Sequence, residues 1–325
     1  MSDARSVSIV VPVYQGEHTL DALIGEIAPF VEPTISPKGC TFRIAEVVLV
    51  HDGAVDGSAA VMEALSDKFP FVRPIWLSRN FGQHAATLAG MASTVSEYVV
   101  TMDEDGQQTP AAIGAMLDHA LEHDAQLVYA WPTNPAPHGP LRNTASHFAK
   151  WFFVHVLGND QIGRFNSFRL IEGQIARGVA AYGGENIYLD VALSWVVAQA
   201  EHCPVELRAE RGRSSGYTFG RLFSHFWTLV LTSGTRPLRW IAYLGIVSIL
   251  LGLSFSALAV WQKLMAQIPV QGWTSMIIVI CLFSGMILVS LGIIAEYLGI
   301  TVSMAMGKPP YLIVTRPRGK PRNGA

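Results

Sequence analysis

The sequence predicts an α/β protein built on a doubly wound, mostly parallel sheet, followed by interfacial amphipathic helices and a two-helix transmembrane hairpin. Three observations carry this expectation. Apolar runs rich in Val and Ile alternate with stretches of helical period over residues 1–131, polar residues gather at one end of those runs, and the last third holds two long stretches without a charged residue.

The alternation begins with VSIVVPVY and a helix near residues 20–30, then AEVVLVHD and a helix near 55–69. VRPIWLS with 84–94, EYVVTMD with 110–123, and finally AQLVYAW continue it. Strands that are apolar on both faces and separated by helices are the pattern of a parallel sheet covered on both sides. Tyr14 and Glu17 follow the first run, Asp52 ends the second, Arg79 and Asn80 follow the third, and Asp103 and Asp105 end the fourth. Ligands of open α/β sheets bind beyond the carboxyl ends of the strands, so these loops are expected to converge on one site.

Residues 132–234 are less regular. Two helix-compatible stretches, 145–157 and 217–232, mix Phe and Trp with Arg, Lys and His, which suits helices lying in a headgroup layer; packing into a core is the other reading.

With 50% hydrophobic and 15% charged residues and a mean hydropathy of +0.32, the chain is more apolar than a typical soluble protein, and the excess is local. Residues 240–262 and 268–295 contain no charge. Each run is long enough to cross a hydrocarbon core, which takes about 20 residues. Two spans are expected at about 240–262 and 274–296, inside a segment 235–300, followed by a basic tail at 301–325. Arg236 and Arg239 precede the first span, and Lys308, Arg316, Arg318, Lys320 and Arg322 follow the second, whereas Lys263 is alone between them. The positive-inside rule then puts both termini in the cytosol. The start, MSDARSVSIVVPVYQGE, lacks the layout of a secretory signal.

A formal net charge of -2 argues against a general nucleic-acid binder. Cys40, Cys203 and Cys281 are too scattered for a disulfide framework or a zinc pattern.

The segment Met102-Asp103-Glu104-Asp105-Gly106-Gln107 sets two carboxylates two residues apart with an amide oxygen two further on. Hard oxygen donors suit Mg²⁺ or Mn²⁺, and a metal here would screen a diphosphate leaving group. A solvated turn is the other reading of such a loop. No G-x-G-x-x-G, P-loop, nucleophile elbow or H-E-x-x-H occurs. His119 and His123 share an amphipathic helix with Asp118, Glu122 and Asp124 and read as a solvated face rather than a metal pair.

The segments VSIVVPVYQGEHTL, VHDGAVDGS, LSRNFGQHAATLAG and MDEDGQQTP resemble the successive motifs of the family 2 inverting glycosyltransferases with a GT-A fold. SFRLI, RAERGRSSGYTFGRL and the hairpin from VQGWTS to IIAEYLG are similar to the polyisoprenyl-phosphate branch, that of dolichol-phosphate mannose synthases and bactoprenol glucosyltransferases. The resemblance implies a membrane enzyme, in a bacterial inner membrane, that moves a sugar from a nucleotide-sugar, UDP-linked by preference, to undecaprenyl or dolichyl phosphate at the cytosolic face. It implies Mg²⁺ or Mn²⁺ as cofactor and admits a homo-oligomer.

By the same resemblance, residues 1–131 form the nucleotide-sugar-binding core and 132–234 the acceptor-binding part. Pro12, Tyr14, Glu17 and Asp52 match nucleotide positions, with Asp52 near the base, and Arg79, Asn80 and Gly82 match the loop that walls the nucleotide. Asp103, with Glu104, falls near the ribose and sugar, and Asp105 with Gln107 on the metal. Arg169, Arg208, Arg211 and Ser214 match positions associated with the acceptor phosphate or the donor diphosphate, and Asp190 lies beside the acceptor. Asp103, Asp105, Arg169 and Asp190 form the expected catalytic set. A polyprenyl phosphate, with a second pKa of about 6, is already nucleophilic and needs guanidinium groups to hold it rather than a strong base.

Four residues depart from the family pattern: His51 precedes Asp52 where a second Asp is usual, Gly106 stands for Leu, and Gln108 and Ser167 stand where Asp is common. Two other functions share parts of this pattern. A processive polysaccharide synthase has the same nucleotide domain, but Arg236-Pro237-Leu238-Arg239-Trp240 lacks the required Gln, and one hairpin encloses no channel. A catalytically silent nucleotide-sugar-binding membrane protein would draw on His51 and Gln108.

Overall fold

A computed structural model of the chain describes residues 4–134, 165–182, 188–208, 236–265 and 272–315. It divides into two compact units, one of Met1–Phe219 with Pro309–Ala325 and one of Gly220–Lys308.

The first unit is built on a nine-stranded sheet. Its strands are β1 (Arg5–Val13), β2 (Thr34–Ile35), β3 (Thr41–His51), β4 (Val72–Leu77), β5 (Tyr98–Thr101), β6 (Leu127–Pro132), β7 (Arg169–Glu172), β8 (Glu201–Val205) and β9 (Ile313–Val314). The order is β8-β6-β7-β5-β1-β3-β4-β9, with β2 against β3. Strands β4, β3, β1 and β5 run parallel, as expected.

Among the described residues, six α-helices cover the two faces: α1 (Leu20–Ile27), α2 (Ser58–Lys68), α3 (Gln83–Ala92), α4 (Ala112–Glu122), α5 (Gly173–Tyr182) and α6 (Leu189–Val196). The sequence of β1 shows why both faces are apolar. Val7, Ile9, Val11 and Val13 pack with Leu20 and Ile24 of α1, Met62 of α2 and Leu117 of α4. Val10 points the other way, into a cluster with Leu88 and Met91 of α3, Ala176 of α5 and Leu193 of α6. Alternate residues therefore serve opposite layers, and none of these β1 side chains is exposed. Helix α3 crosses the sheet at Gly90, where an added Cβ would come within 2.3 Å of Val10 Cγ1, so only glycine permits that approach.

Two arrangements differ from the expected sheet. Strand β6 does not neighbour β5, because β7 lies antiparallel between them. Beyond β4, β9 adds an antiparallel edge strand from the expected tail. The sheet thus continues past the expected boundary at residue 131 and takes in β7, β8 and β9.

The second unit contains α7 (Arg236–Met265) and α8 (Trp273–Ala305). The two helices touch where Ser248 Oγ lies 3.1 Å from Met286 Sδ. Among the described residues, Leu282–Ser303 is long and apolar enough to cross a membrane, with a hydropathy of 1.9 over 22 residues. It starts later than the expected second span at 274–296. Within α7 the apolar stretch Tyr243–Phe255 is shorter. Leu250, Leu253 and Leu258 of α7 and Leu288, Leu291 and Leu298 of α8 are exposed, a surface suited to apolar surroundings. The stretches 145–157 and 217–232 lie outside the described residues.

Candidate active site

The loops that leave β1, β3, β4 and β5 at their carboxyl ends are tied to one another by side chains. Parallel strands bring these ends to one edge of the sheet, and the short polar residues that terminate them supply the bonds.

The first tie joins β3 to β4. Asp52, buried at the end of β3, accepts the Phe81 N–H through Oδ1 at 2.7 Å and the Gly82 N–H through Oδ2 at 2.8 Å. Burial pushes its carboxyl above the usual range, against the pull of these two amides and of Arg79. Gly53 makes the turn possible: its φ is +64°, and a Cβ there would lie 2.6 Å from the Asn80 nitrogen. Arg79 is exposed and stacks its guanidinium 4.1 Å from the Phe81 ring centroid.

The second tie joins β5 to β1. Glu104 accepts the Tyr14 N–H at 3.0 Å and the Gln15 N–H at 2.9 Å. Glu17, on the same loop, accepts the Gly57 N–H at 2.9 Å, where α2 begins and its first amides have no helical partner. Both carboxylates thus hold backbone amides of the loops that follow β1 and β3. Tyr14 is exposed, and Pro12 lies within β1 opposite Val50.

Asp103 lies just beyond β5. Oδ1 accepts Gln83 Nε2 at 2.6 Å, and Oδ2 accepts Gln108 Nε2 at 2.9 Å and the Ser167 hydroxyl. Burial raises its pKa, the Ser167 bond and the Arg169 charge lower it, and the Asp105 charge raises it. Asp105 accepts the Gln107 N–H at 3.0 Å through Oδ1, and its Oδ2 makes no hydrogen bond among the described residues. The Asp105 carboxylate and the Gln107 side-chain amide offer hard oxygen donors, a chemistry that suits Mg²⁺ or Mn²⁺.

Strand β7 delivers Arg169 beside these loops, opposite Thr101 of β5 and Tyr129 of β6. Arg169 is 4% exposed and ion-paired with Asp190 at the start of α6. Tyr129 donates its hydroxyl to Asp190 at 3.0 Å, and burial and the Asp190 charge push the phenol pKa strongly up. The structure thus brings Arg169 and Asp190 together, but as a buried pair. Arg208 is exposed, binds both carboxylate oxygens of Glu26 at 2.8 and 2.7 Å, and donates its backbone N–H to Gln107 O at 2.9 Å. Arg211 and Ser214 lie outside the described residues.

Sequence reading missed Gln83 and the joint use of Gln108 and Ser167. The signal available was that Gln108 and Ser167 both replace acids and both flank Asp103 or Arg169. His119, Glu122 and His123 bring ligand atoms within 4.8 Å of one another, but Glu122 is ion-paired with Lys38 and His119 lies 3.8 Å from Glu201. Glu122 and His123 are exposed as expected of a solvated face, but Asp118 of the same helix is buried, where it accepts the Ser36 hydroxyl and the Lys38 N–H.

Comparison with known proteins adds three findings. The family model described as Glycosyl transferase family 2 matches residues 8–176. Similar sequences include a bactoprenol glucosyl transferase of Shigella phage SfX, 26% identical over 320 residues that cover 95% of this chain and 99% of that one. Another is an undecaprenyl-phosphate 4-deoxy-4-formamido-L-arabinose transferase of Pectobacterium atrosepticum, 26% identical over 317 residues, or 96% and 94% of the two chains. Among solved structures, glucosyl-3-phosphoglycerate synthase of Mycobacterium tuberculosis, crystallised with Mn²⁺, UDP and glucosyl-3-phosphoglycerate, is similar at a TM-score of 0.50 and 15% identity, covering 71% of this chain and 80% of that one. That likeness concerns the fold.

Proposed function

The chain belongs to glycosyl transferase family 2, and from that premise we propose that it transfers a sugar from a nucleoside-diphosphate sugar, UDP-linked by preference, to a polyisoprenyl phosphate at a membrane. One observation carries the acceptor: relatives whose names specify bactoprenol or undecaprenyl phosphate match this chain over nearly its whole length, apolar helices included.

The acceptor phosphate is largely dianionic at neutral pH and is the nucleophile; its oxygen bonds to the anomeric carbon as the bond to the nucleoside diphosphate breaks. Asp105 and Gln107 would hold the divalent ion, which when bound would offset charge on the departing diphosphate. The loop 79–82, fixed by Asp52, and the loop 14–17, fixed by Glu104, wall the nucleotide. Asp103 keeps one acceptor position on Oδ1 for a donor hydroxyl. Arg208, Arg211 and Ser214 are proposed to meet the acceptor phosphate, while Arg169 is held in its ion pair with Asp190.

Chain connectivity supports a two-span anchor. Strand β9 follows the apolar helices and pairs in the same sheet as β1 to β8. The chain must return to the side it left, so it crosses an even number of times. If Leu282–Ser303 is one span, α7 supplies the other, and the catalytic unit faces the cytosol on the charge argument.

The test is mass spectrometry of the lipid product after incubating purified protein in nanodiscs with undecaprenyl phosphate, Mg²⁺ or Mn²⁺, and UDP-, GDP- and dTDP-sugars in turn. The proposal expects a glycosyl-phosphoryl lipid with at least one donor. No such lipid with any donor refutes it.

A further inference from the structure

The Asp103 carboxylate is surrounded by neutral hydrogen-bond donors from three separate parts of the chain: Gln83 at the start of α3, Gln108 ahead of α4, and Ser167 ahead of β7. Gln108 is 4% exposed. Its Oε1 accepts the Asp103 N–H at 2.9 Å, which fixes which end of the amide is oxygen. Its Nε2 must then donate, to Asp103 Oδ2 at 2.9 Å and to Ser167 Oγ at 3.0 Å. The Ser167 hydroxyl, occupied as an acceptor, gives its own proton to the same Oδ2. The three groups close a triangle in which every hydrogen has one place to go. Thr101 Oγ1 anchors the far side by donating to Ser167 O at 2.6 Å.

We propose that Gln108 and Ser167 are a matched pair of positioning residues that fix the Asp103 carboxylate for donor binding, and that both must be uncharged donors. Two donors fill Oδ2, and Gln83 takes one of two positions on Oδ1, so Asp103 presents a single acceptor position whose direction the pair sets. A carboxylate at 108 would place a negative oxygen about 3 Å from Oδ2 where a donor now stands, and like charges that close repel. The two positions therefore depend on each other: each supplies a donor to one oxygen and orients the other's hydrogen. Their hydrogen bonds run to Asp103 and to each other, so they act through Asp103.

This inference rests on the glycosyl transfer reading for its kinetic arm but not for its binding arm. The binding arm is calorimetry of UDP with Mn²⁺; the kinetic arm is donor and acceptor KM for transfer to undecaprenyl phosphate. Gln108→Ala and Ser167→Ala should each weaken nucleotide affinity and raise donor KM about tenfold, the size of one lost hydrogen bond to a charged group, with acceptor KM unchanged. The double variant should fall well short of the product of the two effects. Ser167→Thr, which keeps the hydroxyl, should stay close to wild type, and Gln108→Glu, equal in size but without the donor, should be worse than Gln108→Ala. Wild-type affinity in both alanine variants, fully multiplicative losses, or an equal rise in acceptor KM would overturn the pairing. Should Gln108→Ala fail to fold, the Ser167→Thr and Ser167→Ala contrast decides alone. A wild type that binds nucleotide but transfers no sugar counts against the function, and the calorimetric comparison still judges the pair.

Discussion

Arg169 and Asp190 form a buried ion pair, 4% and 8% exposed, and Tyr129 adds a hydroxyl bond of 3.0 Å to the same carboxylate oxygen. Three elements, β7, α6 and β6, meet at that oxygen. Removing one member of a buried pair strands the other charge, at a cost of about 3–5 kcal/mol. Asp190→Ala should lower the thermal midpoint markedly as well as activity. An unchanged midpoint would show that Asp190 is there for the substrate rather than for Arg169.

Asp52 gives stability a pH dependence of predictable sign. Its folded pKa lies above the unfolded value of about 3.9, so the folded state binds the proton more tightly. Its contribution is full below the unfolded pKa and is lost as pH rises through the raised folded one. Wild type should therefore lose stability relative to Asp52→Asn as pH rises from about 4. Melting curves of both proteins across that range check this, and parallel curves would refute it.

Gly53→Ala should disturb nucleotide binding without touching the nucleotide. Left-handed backbone costs a non-glycine residue about 1–2 kcal/mol, and the added Cβ would press on the Asn80 nitrogen at 2.6 Å. We expect the 79–82 loop to shift and UDP affinity to fall at least tenfold, a loss of about 1.4 kcal/mol. Calorimetry that finds wild-type affinity would separate that loop from the site.

Asp105→Ala should leave the fold intact, because its side chain bonds only the neighbouring Gln107 amide. Transfer should fall more than a hundredfold, the loss typical of removing one charge-stabilising group. Turnover within tenfold of wild type at saturating Mg²⁺ or Mn²⁺ would remove Asp105 from the metal site.

Much of this architecture is legible in the sequence because β1 and β3 are long, β4 and β5 lie in Val-containing runs that alternate with helical stretches, and the polar residues that follow all four mark one edge. Val10 and Val11 announce a strand buried on both faces. Strand β7 escapes notice because RLIE falls outside the strand-helix alternation, and its antiparallel place between β5 and β6 depends on pairings with positions far away in the chain. Strand β9 escapes for the same reason: two residues beyond a long apolar helix carry no periodicity. At the site, strand ends locate Asp52, Asp103 and Asp105, but partners are long-range facts. The sequence places Glu104 and Glu17 in strand-end loops, but the Tyr14, Gln15 and Gly57 amides that they hold belong to residues up to 90 positions away and carry no local signal. Gln108 and Ser167 look like unrelated departures from a pattern until they are seen to share one oxygen of Asp103.

The central claim is transfer to a polyisoprenyl phosphate, and its most direct measurement is the rate of nucleoside diphosphate release with and without that acceptor. The account predicts release that requires both undecaprenyl phosphate and a divalent ion, and that is lost in Asp105→Ala. Release at the same rate without the lipid phosphate, or none with it under any donor, would contradict the account.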